Sequence, residues 1–326
     1  MLHYLLRRLL YAVPILIGVN LITFALFFMV NSPDDMARMQ LGVKRVTPEA
    51  IQQWKVARGY DKPLFVNDSA EGTAKLTETI FYEKSVALFA GEFGRSEDGR
   101  EIGQEIRDRM GPSLAIALPT FVVGLGLTIS LALMLVLFRG TWLDRTGVIL
   151  CVGLMSISSL FFIIGGQFVF ARVLKVVPIS GYDSNPWIAW HFLVLPVVVS
   201  IVAGLGGSTR WYRTLFLEEI GRDYVRTARA KGLSEIRVLF GHVLRNGLIP
   251  ILTGVVVVIP SLFLGSLLIE SFFGIPGLGS YTIDAIAAQD FAVVRAMVFL
   301  GSVLYLIGLI LTDLSYTLVD PRIRLR

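Results

Sequence analysis

Two stretches of this chain, "LPTFVVGLGLTISLALMLVLF" (Leu118–Phe138) and "GVVVVIPSLFLGSLLI" (Gly254–Ile269), carry no charged residue. Runs like these leave few folding options. A bilayer core is crossed by about 20 mostly apolar residues. Backbone groups in lipid must hydrogen-bond within the protein, which makes each such run a helix. Six stretches qualify: about Leu9–Val30, Ser113–Phe138, Val148–Phe170, Trp190–Gly207, Leu248–Ser271 and Val293–Leu318, the fourth being short. The chain is 54% hydrophobic and only 17% charged, against roughly 25% charged in soluble domains. The expected fold is therefore an all-α membrane protein with six transmembrane helices. A long extracytoplasmic segment, about Asn31–Gly111, follows the first. That first span follows Arg7 and Arg8, as a signal sequence would. Its apolar run exceeds the roughly 7–15 residues of a signal h-region and no small-residue cleavage site follows, so it reads as a retained helix.

Basic residues set the orientation. With a cytoplasmic N-terminus, the inside segments hold fifteen Lys/Arg: Arg7, Arg8, Arg139, Arg145, eight between Arg210 and Arg245, and Arg322, Arg324 and Arg326. The short outside segments hold three, Arg172, Lys175 and Arg295. The remaining twelve lie in the long segment, whose length exempts it from the rule. Both termini are thus expected in the cytoplasm. The net charge of +5 reflects basic loops facing that side, with no nucleic acid implied. The long segment is mixed in charge and contains helix-like pieces such as "TPEAIQQWKVARGY", in which Thr47 is placed to cap and Pro48 to take the first helical position. It is either a small lobe with a binding role or a cover for the helix ends.

The same orientation puts about Ser208–Gly247 in the cytoplasm. The first half of this loop, "EEIGRDYVRTARAK" (Glu218–Lys231), reads as a helix, and "DYVRTARAKGLSEIRVLFGHVLRNGLIP" (Asp223–Pro250) carries the loop through as helix, glycine, helix. Arg222, Arg226 and Arg229 fall on one stripe, while Ala228 and Ala230 leave flat surface. Gly232 ends the first helix, and Ser234 is placed to cap the second. Ile236, Leu239, Phe240, Val243 and Leu244 then recur with amphipathic period. Such a loop is built either as a rigid lever for a cytosolic partner or as an amphipathic helix lying on anionic lipid.

This loop resembles the EAA-type loop of bacterial ABC importer permeases, in the version of the dipeptide/oligopeptide/nickel family. "FGRS" (Phe93–Ser96), "IRDRMGPSLAIAL", "RGTWLDR" (Arg139–Arg145), "ESFFGIPGLGSYTIDAIAAQDF" (Glu270–Phe291) and "DPRIR" (Asp320–Arg324) extend the resemblance, in family order, over roughly 1–30 and 90–326. The motif's glutamate is replaced by Arg226, and Ser158 stands where many relatives have proline. The resemblance implies a type I ABC importer permease fold, with a five-helix core in 112–326 behind the first helix (1–30) and the outer segment (31–111). It implies that Asp223, Tyr224, Arg226, Thr227, Ala228, Arg229, Lys231 and Gly232 contact a cytosolic ATPase. The partners implied are a second permease subunit, most simply a heterodimer, one or two ABC ATPases, an external solute-binding protein and the lipid bilayer. Glu270, Gly274, Pro276, Gly277 and Gly279 are candidates for the outer mouth or for contact with the binding protein. The solute implied is a peptide or peptide-like molecule.

Other classes lack their residues. There is no phosphate-binding G-x-x-x-x-G-K-[ST]; "GIPGLGS" has no lysine and reads as a shaped turn. ATP hydrolysis therefore requires a separate subunit, and no cofactor is expected. His3, His191 and His242 have no metal-ligand spacing, no serine sits in a nucleophile motif, and Cys151 is a lone apolar-run cysteine. A secondary transporter needs ionisable groups within its spans. Only Glu270, lining an outer mouth or reaching interfacial water, and Asp313 lie in one. A non-transporting sensor or scaffold using the same loop remains the second reading. Gly124, Gly126, Gly165, Gly166, Gly204, Gly206 and Gly207 permit close helix contact, within one bundle or with a sister subunit.

Overall fold

The computed structural model describes residues 2–42 and 46–319; "DPRIR" and its arginines lie outside them. Among the described residues no strand forms beyond an isolated bridge between Arg95 and Glu101. The chain divides into two compact units, one built from residues up to Arg109 with Tyr281–Ile310, the other from Met110–Ser280 with Leu311 onward.

In the first unit, α1 (Leu2–Phe24) runs on as a π-helical turn, Ala25–Val30. Helices α2 (Pro33–Leu41), α3 (Pro48–Arg58) and the single turn α4 (Ala74–Thr77) follow. Local chemistry fixes their starts. Ser32 and Asp35 form a reciprocal capping box with Pro33 at the first position, and Thr47 accepts from the Ala50 amide ahead of α3, with Pro48 in the first turn as expected. These helices close on the end of α1 through a core of Phe24, Phe28, Met36, Ile51, Trp54, Tyr60 and Ile80. Phe24 meets Phe81 edge-on at 5.1 Å and Phe28 meets Tyr60 at 5.3 Å. Asn20, inside the first span, donates to the Ser85 carbonyl at 2.9 Å. The segment after the first span thus folds onto the end of that span and shares a core with Phe24 and Phe28.

Helix α5 (Ile102–Leu137) has 36 residues, about 54 Å at 1.5 Å per residue against a hydrocarbon core of about 30 Å. It begins ten residues or so before the predicted second span, because Glu105–Arg109 form helical i,i+4 contacts: Arg109 Nε donates to Glu105 at 2.7 Å. Helices α6 (Trp142–Ser156) and α7 (Ser159–Gly166, extended by a π turn to Val173) replace the predicted third span with a pair bent by 90°. Ile157 and Ser158 are extended, and the Ser158 hydroxyl accepts from the Leu160 amide. A cap stands where the apolar run suggested continuity.

Helix α8 (Pro186–Ile220) is 35 residues long, not short. It continues through Ser208–Ile220, which the sequence placed in the loop with Glu218–Ile220 joined to the first loop helix; the break falls at Gly221 and Arg222. After α9 (Asp223–Ala230), α10 (Glu235–Val238) passes through a π turn (Leu239–Val243) into α11 (Leu244–Val258), so the second loop helix is the start of the fifth span. That span ends at Leu264. Glu270 lies beyond it in a separate helix, α12 (Leu267–Phe273). Helices α13 (Leu278–Ala287) and α14 (Phe291–Val319) complete the chain. Among the described residues five helices are long and apolar enough to cross a membrane, or six if the bent pair counts as one span.

The glycines answer differently from one another. A Cβ on Gly206 would lie 2.4 Å from the Cys151 carbonyl, so α6 and α8 touch backbone to backbone within the bundle. At Gly126, Gly165, Gly204 and Gly207 a Cβ would meet nothing within 4 Å.

Candidate functional site

The loop after α8 is held by a small core. Val225 and Ala228 of α9, with Val238, Leu239 and Val243 of the following helix, pack on Ala132, Leu133 and Val136 at the end of α5, Phe216 of α8 and Ile251 of α11. Each fully buried Val or Leu contributes roughly 1.5–3 kcal/mol, an upper range for so small a core. Gly247 admits the Phe216 ring; a Cβ there would lie 2.8 Å from it. Part of the apolar face that a lipid-lying helix would insert, Leu239 and Val243, is thus occupied by helices of its own unit. Gly232 turns the chain at φ +80°, a conformation costing a side-chain-bearing residue about 1–2 kcal/mol. Its amide donates to the Arg229 carbonyl at 2.9 Å.

Two polar links brace the turn. Arg229 grips Glu235 with Nε and Nη2 at 2.8 and 3.1 Å, tying α9 to α10 across Gly232. Tyr224 donates its hydroxyl to Glu219; burial and that carboxylate push the phenol up to about 12. Arg226 and Asp223 approach to 3.7 Å while nearly fully exposed, a pair contributing little.

The predicted contact residues therefore divide. Asp223, Arg226, Thr227, Arg229, Lys231 and Gly232 are exposed, Tyr224 is half-buried, and Ala228 is buried at 4%. Ala228 offers no flat surface to a partner, because its face of α9 is the seated one. Arg222 precedes α9 in extended conformation, so the expected arginine stripe starts at Arg226. Ser234 stands at the N-cap without a side-chain bond. In the second helix Leu239 and Val243 of the predicted apolar face are buried and Val238 joins them, while Ile236 and Phe240 are 60% and 57% exposed. A π turn spans Leu239–Val243.

Sequence reasoning missed the anchor of this site. Asp144, at the start of α6, takes Arg213 of α8 in a two-pronged pair, Nε and Nη2 both at 2.9 Å. It also accepts from the Gly140 amide at 3.1 Å. Asp144 is 6% exposed. A lone acid within the basic "RGTWLDR" was the available signal.

The Glu270 group is a different object. Glu270 is 0% exposed, so it neither reaches interfacial water nor lines an open mouth. Its carboxylate accepts from the amides of Ser266 and Ser280, each at 3.0 Å, and Ser113 accepts from the Leu278 amide at 2.8 Å. "GIPGLGS" is wrapped round this carboxylate. A Cβ on Gly277 would lie 2.3 Å from Glu270 Oε2. Gly277 and Gly279 are buried and leave the set of surface candidates; Gly274 and Pro276 are exposed. Gly277→Val is expected to open this loop and to lower the detergent melting temperature by several degrees, more than Pro276→Ala does. Equal melting curves for the two variants would refute the enclosure. Near it, a cavity of about 380 Å³ is lined by Ser113, Thr120, Ser159, Ser200, Ser261 and Ser266 among apolar neighbours. Among the described residues no cluster of His, Cys, Asp and Glu is placed to hold a metal.

Residues 112–325 match the family described as binding-protein-dependent transport system inner membrane component, and residues 1–110 match the family of its N-terminal segment. The chain is 30% identical to the dipeptide transport system permease protein DppB of Escherichia coli K12, covering 99% of each sequence. It is 29% identical to the oligopeptide transport system permease protein AppB of Bacillus subtilis 168, covering 98% of each. With both halves matched and the helices of a multi-pass protein in place, the chain belongs to the binding-protein-dependent transport system inner membrane components.

Proposed function

We propose that the chain is one of two permease subunits of an ATP-driven peptide importer, and that α9, Gly232 and α10 form the handle gripped by a cytosolic ATPase. The observation that carries this is the seating of the handle. Its inner face is fixed to the ends of α5, α8 and α11, while Asp223, Arg226, Thr227 and Lys231 stand free. Force on the outer face would reach three spans at once. Both termini and the handle lie on the cytoplasmic side, and the lobe faces an external solute-binding protein. The hydroxyl-lined cavity and the open glycines of α5, α7 and α8 supply half of the solute path and the surface for a sister permease, most simply in a heterodimer. The peptide class is taken from the relatives' names.

Reconstitution tests the whole reading. Proteoliposomes holding this chain, its sister permease and ATPases, with external binding protein, are expected to accumulate labelled di- or oligopeptides only with ATP. Uptake independent of ATP would refute the importer. In intact cells, a cysteine replacing Lys231 is expected to resist membrane-impermeant maleimide until the membrane is opened; labelling from outside would overturn the orientation.

A further inference from the structure

The lobe contains a cavity that the transport reading does not use. It has a volume of about 380 Å³ and lies between α3, the Tyr82–Val86 turn, the 92–99 loop and the first turns of α14. Arg295 lines it, 4% exposed, and its Nε has no hydrogen-bond partner. Its guanidinium lies 5.3 Å from the centroid of the Phe28 ring, a contact that favours the cation but gives Nε no acceptor, so the charges around it decide what the site is for.

The nearest acid is committed elsewhere. Asp290 accepts from the Val293 amide at 3.1 Å, capping α14, and from the Glu97 amide at 2.7 Å. Of the other acids on the wall, Glu97 is taken by Arg58 at 2.5 Å and Glu83 by Lys62. Lys84 and Arg95, also lining the cavity, have no ion pair among the described residues. Lys84 instead lies 5.5 Å from the Tyr60 ring. Burial, and then the charge of Arg295, hold the Lys84 amine below its usual range. Three cations without an ion pair thus face two carboxylates without one, Glu92 on the wall and Asp290 at the start of α14, and the excess is positive. The flanking glutamates disfavour a dianion such as phosphate. The room exceeds what a simple halide fills.

We infer that this cavity is a binding site for a carboxylate, with Arg295 as its buried anchor and Lys84 and Arg95 completing the charge. The carboxylate comes either from a free organic acid or from an acidic side chain of the external binding protein. Only the second source rests on the importer reading above.

The experiment uses the full chain in nanodiscs, with N-acetylglycinate as probe and the uncharged N-acetylglycinamide as control. For a free ligand, the acid alone raises the melting temperature saturably, and Arg295→Gln weakens it at least ten-fold. Lys84→Met and Arg95→Gln each weaken it less. These two milder variants serve as the reading should Arg295→Gln fail to fold. For a protein ligand, neither small molecule binds, but association of the binding protein falls at least ten-fold in the same variants and in a binding protein whose surface acids are changed to amides. Identical responses to acid and amide, with binding-protein association unchanged in all variants, would overturn the site even if peptide uptake persisted.

Discussion

Asp144→Ala is expected to destabilise the protein by about 3–5 kcal/mol, because it leaves the Arg213 guanidinium buried without its partner. The partner's burial sets this scale: the Asp144 and Arg213 side chains are only 8% and 21% exposed. The two-pronged geometry makes the lost bonds charge-assisted. The Gly140 amide loses its acceptor as well. Arg213→Ala strands the carboxylate instead and is expected to cost a similar amount. The pair Asp144→Leu with Arg213→Met is expected to recover most of the loss, since an apolar pair of similar volume needs no compensating charge. Thermal unfolding of the three variants in detergent measures this, read as a double-mutant cycle. Single variants within about 0.5 kcal/mol of the parent would show that water solvates both groups and that the pair anchors nothing.

The second large effect concerns the handle. Arg226→Glu with Lys231→Glu reverses two charges on the exposed side of the loop. Their only ion pair among the described residues is the exposed Arg226–Asp223 contact, so melting and membrane insertion are expected to stay unchanged. Co-purification of the ATPase is expected to fall at least ten-fold, and uptake with it. Gly232→Val adds backbone strain of about 1–2 kcal/mol at φ +80° and is expected to uncouple transport by misdirecting α9 against α10. Charge reversal that left ATPase recovery intact would mean the motor grips another surface. Ile236 and Phe240, exposed and apolar, would be the first to examine.

Helix existence was readable in this sequence because the bilayer demands a simple pattern. Runs such as Leu118–Phe138 admit one solution, and six spans follow from counting. What composition obscured was where helices end. Charge looks like loop, yet α8 continues through Arg210, Arg213, Glu218 and Glu219. Past the hydrocarbon, polar residues are good helix formers. The bend at Ile157–Ser158 was hidden for the opposite reason: Ser156, Ser158 and Ser159 lie inside a long run that is otherwise apolar, and the Ser158 cap breaks it. Amphipathic counting placed Leu239 and Val243 inward, as found, and Ile236 and Phe240 with them, because period alone gives the apolar side of a helix and not how much of that side its neighbours cover. The Asp144–Arg213 pair joins residues distant in sequence, and no local pattern encodes such a partnership. Glu270 was noticed, but its role depends on two amides, those of Ser266 and Ser280, that only the folded loop brings together.

Helix α8 carries no proline between Ser200 and Phe216. Those residues stand roughly 24 Å apart along its axis at 1.5 Å per residue. One faces the serine-lined hollow, and the other is wedged into the seat of the α9–α10 turn. A stiff beam gripped at one end has no slack to lose, so a tilt of about 5° at Phe216 shifts Ser200 by about 2 Å. On the handle reading proposed above, the length of this rod would set how far the stroke of a distant motor carries.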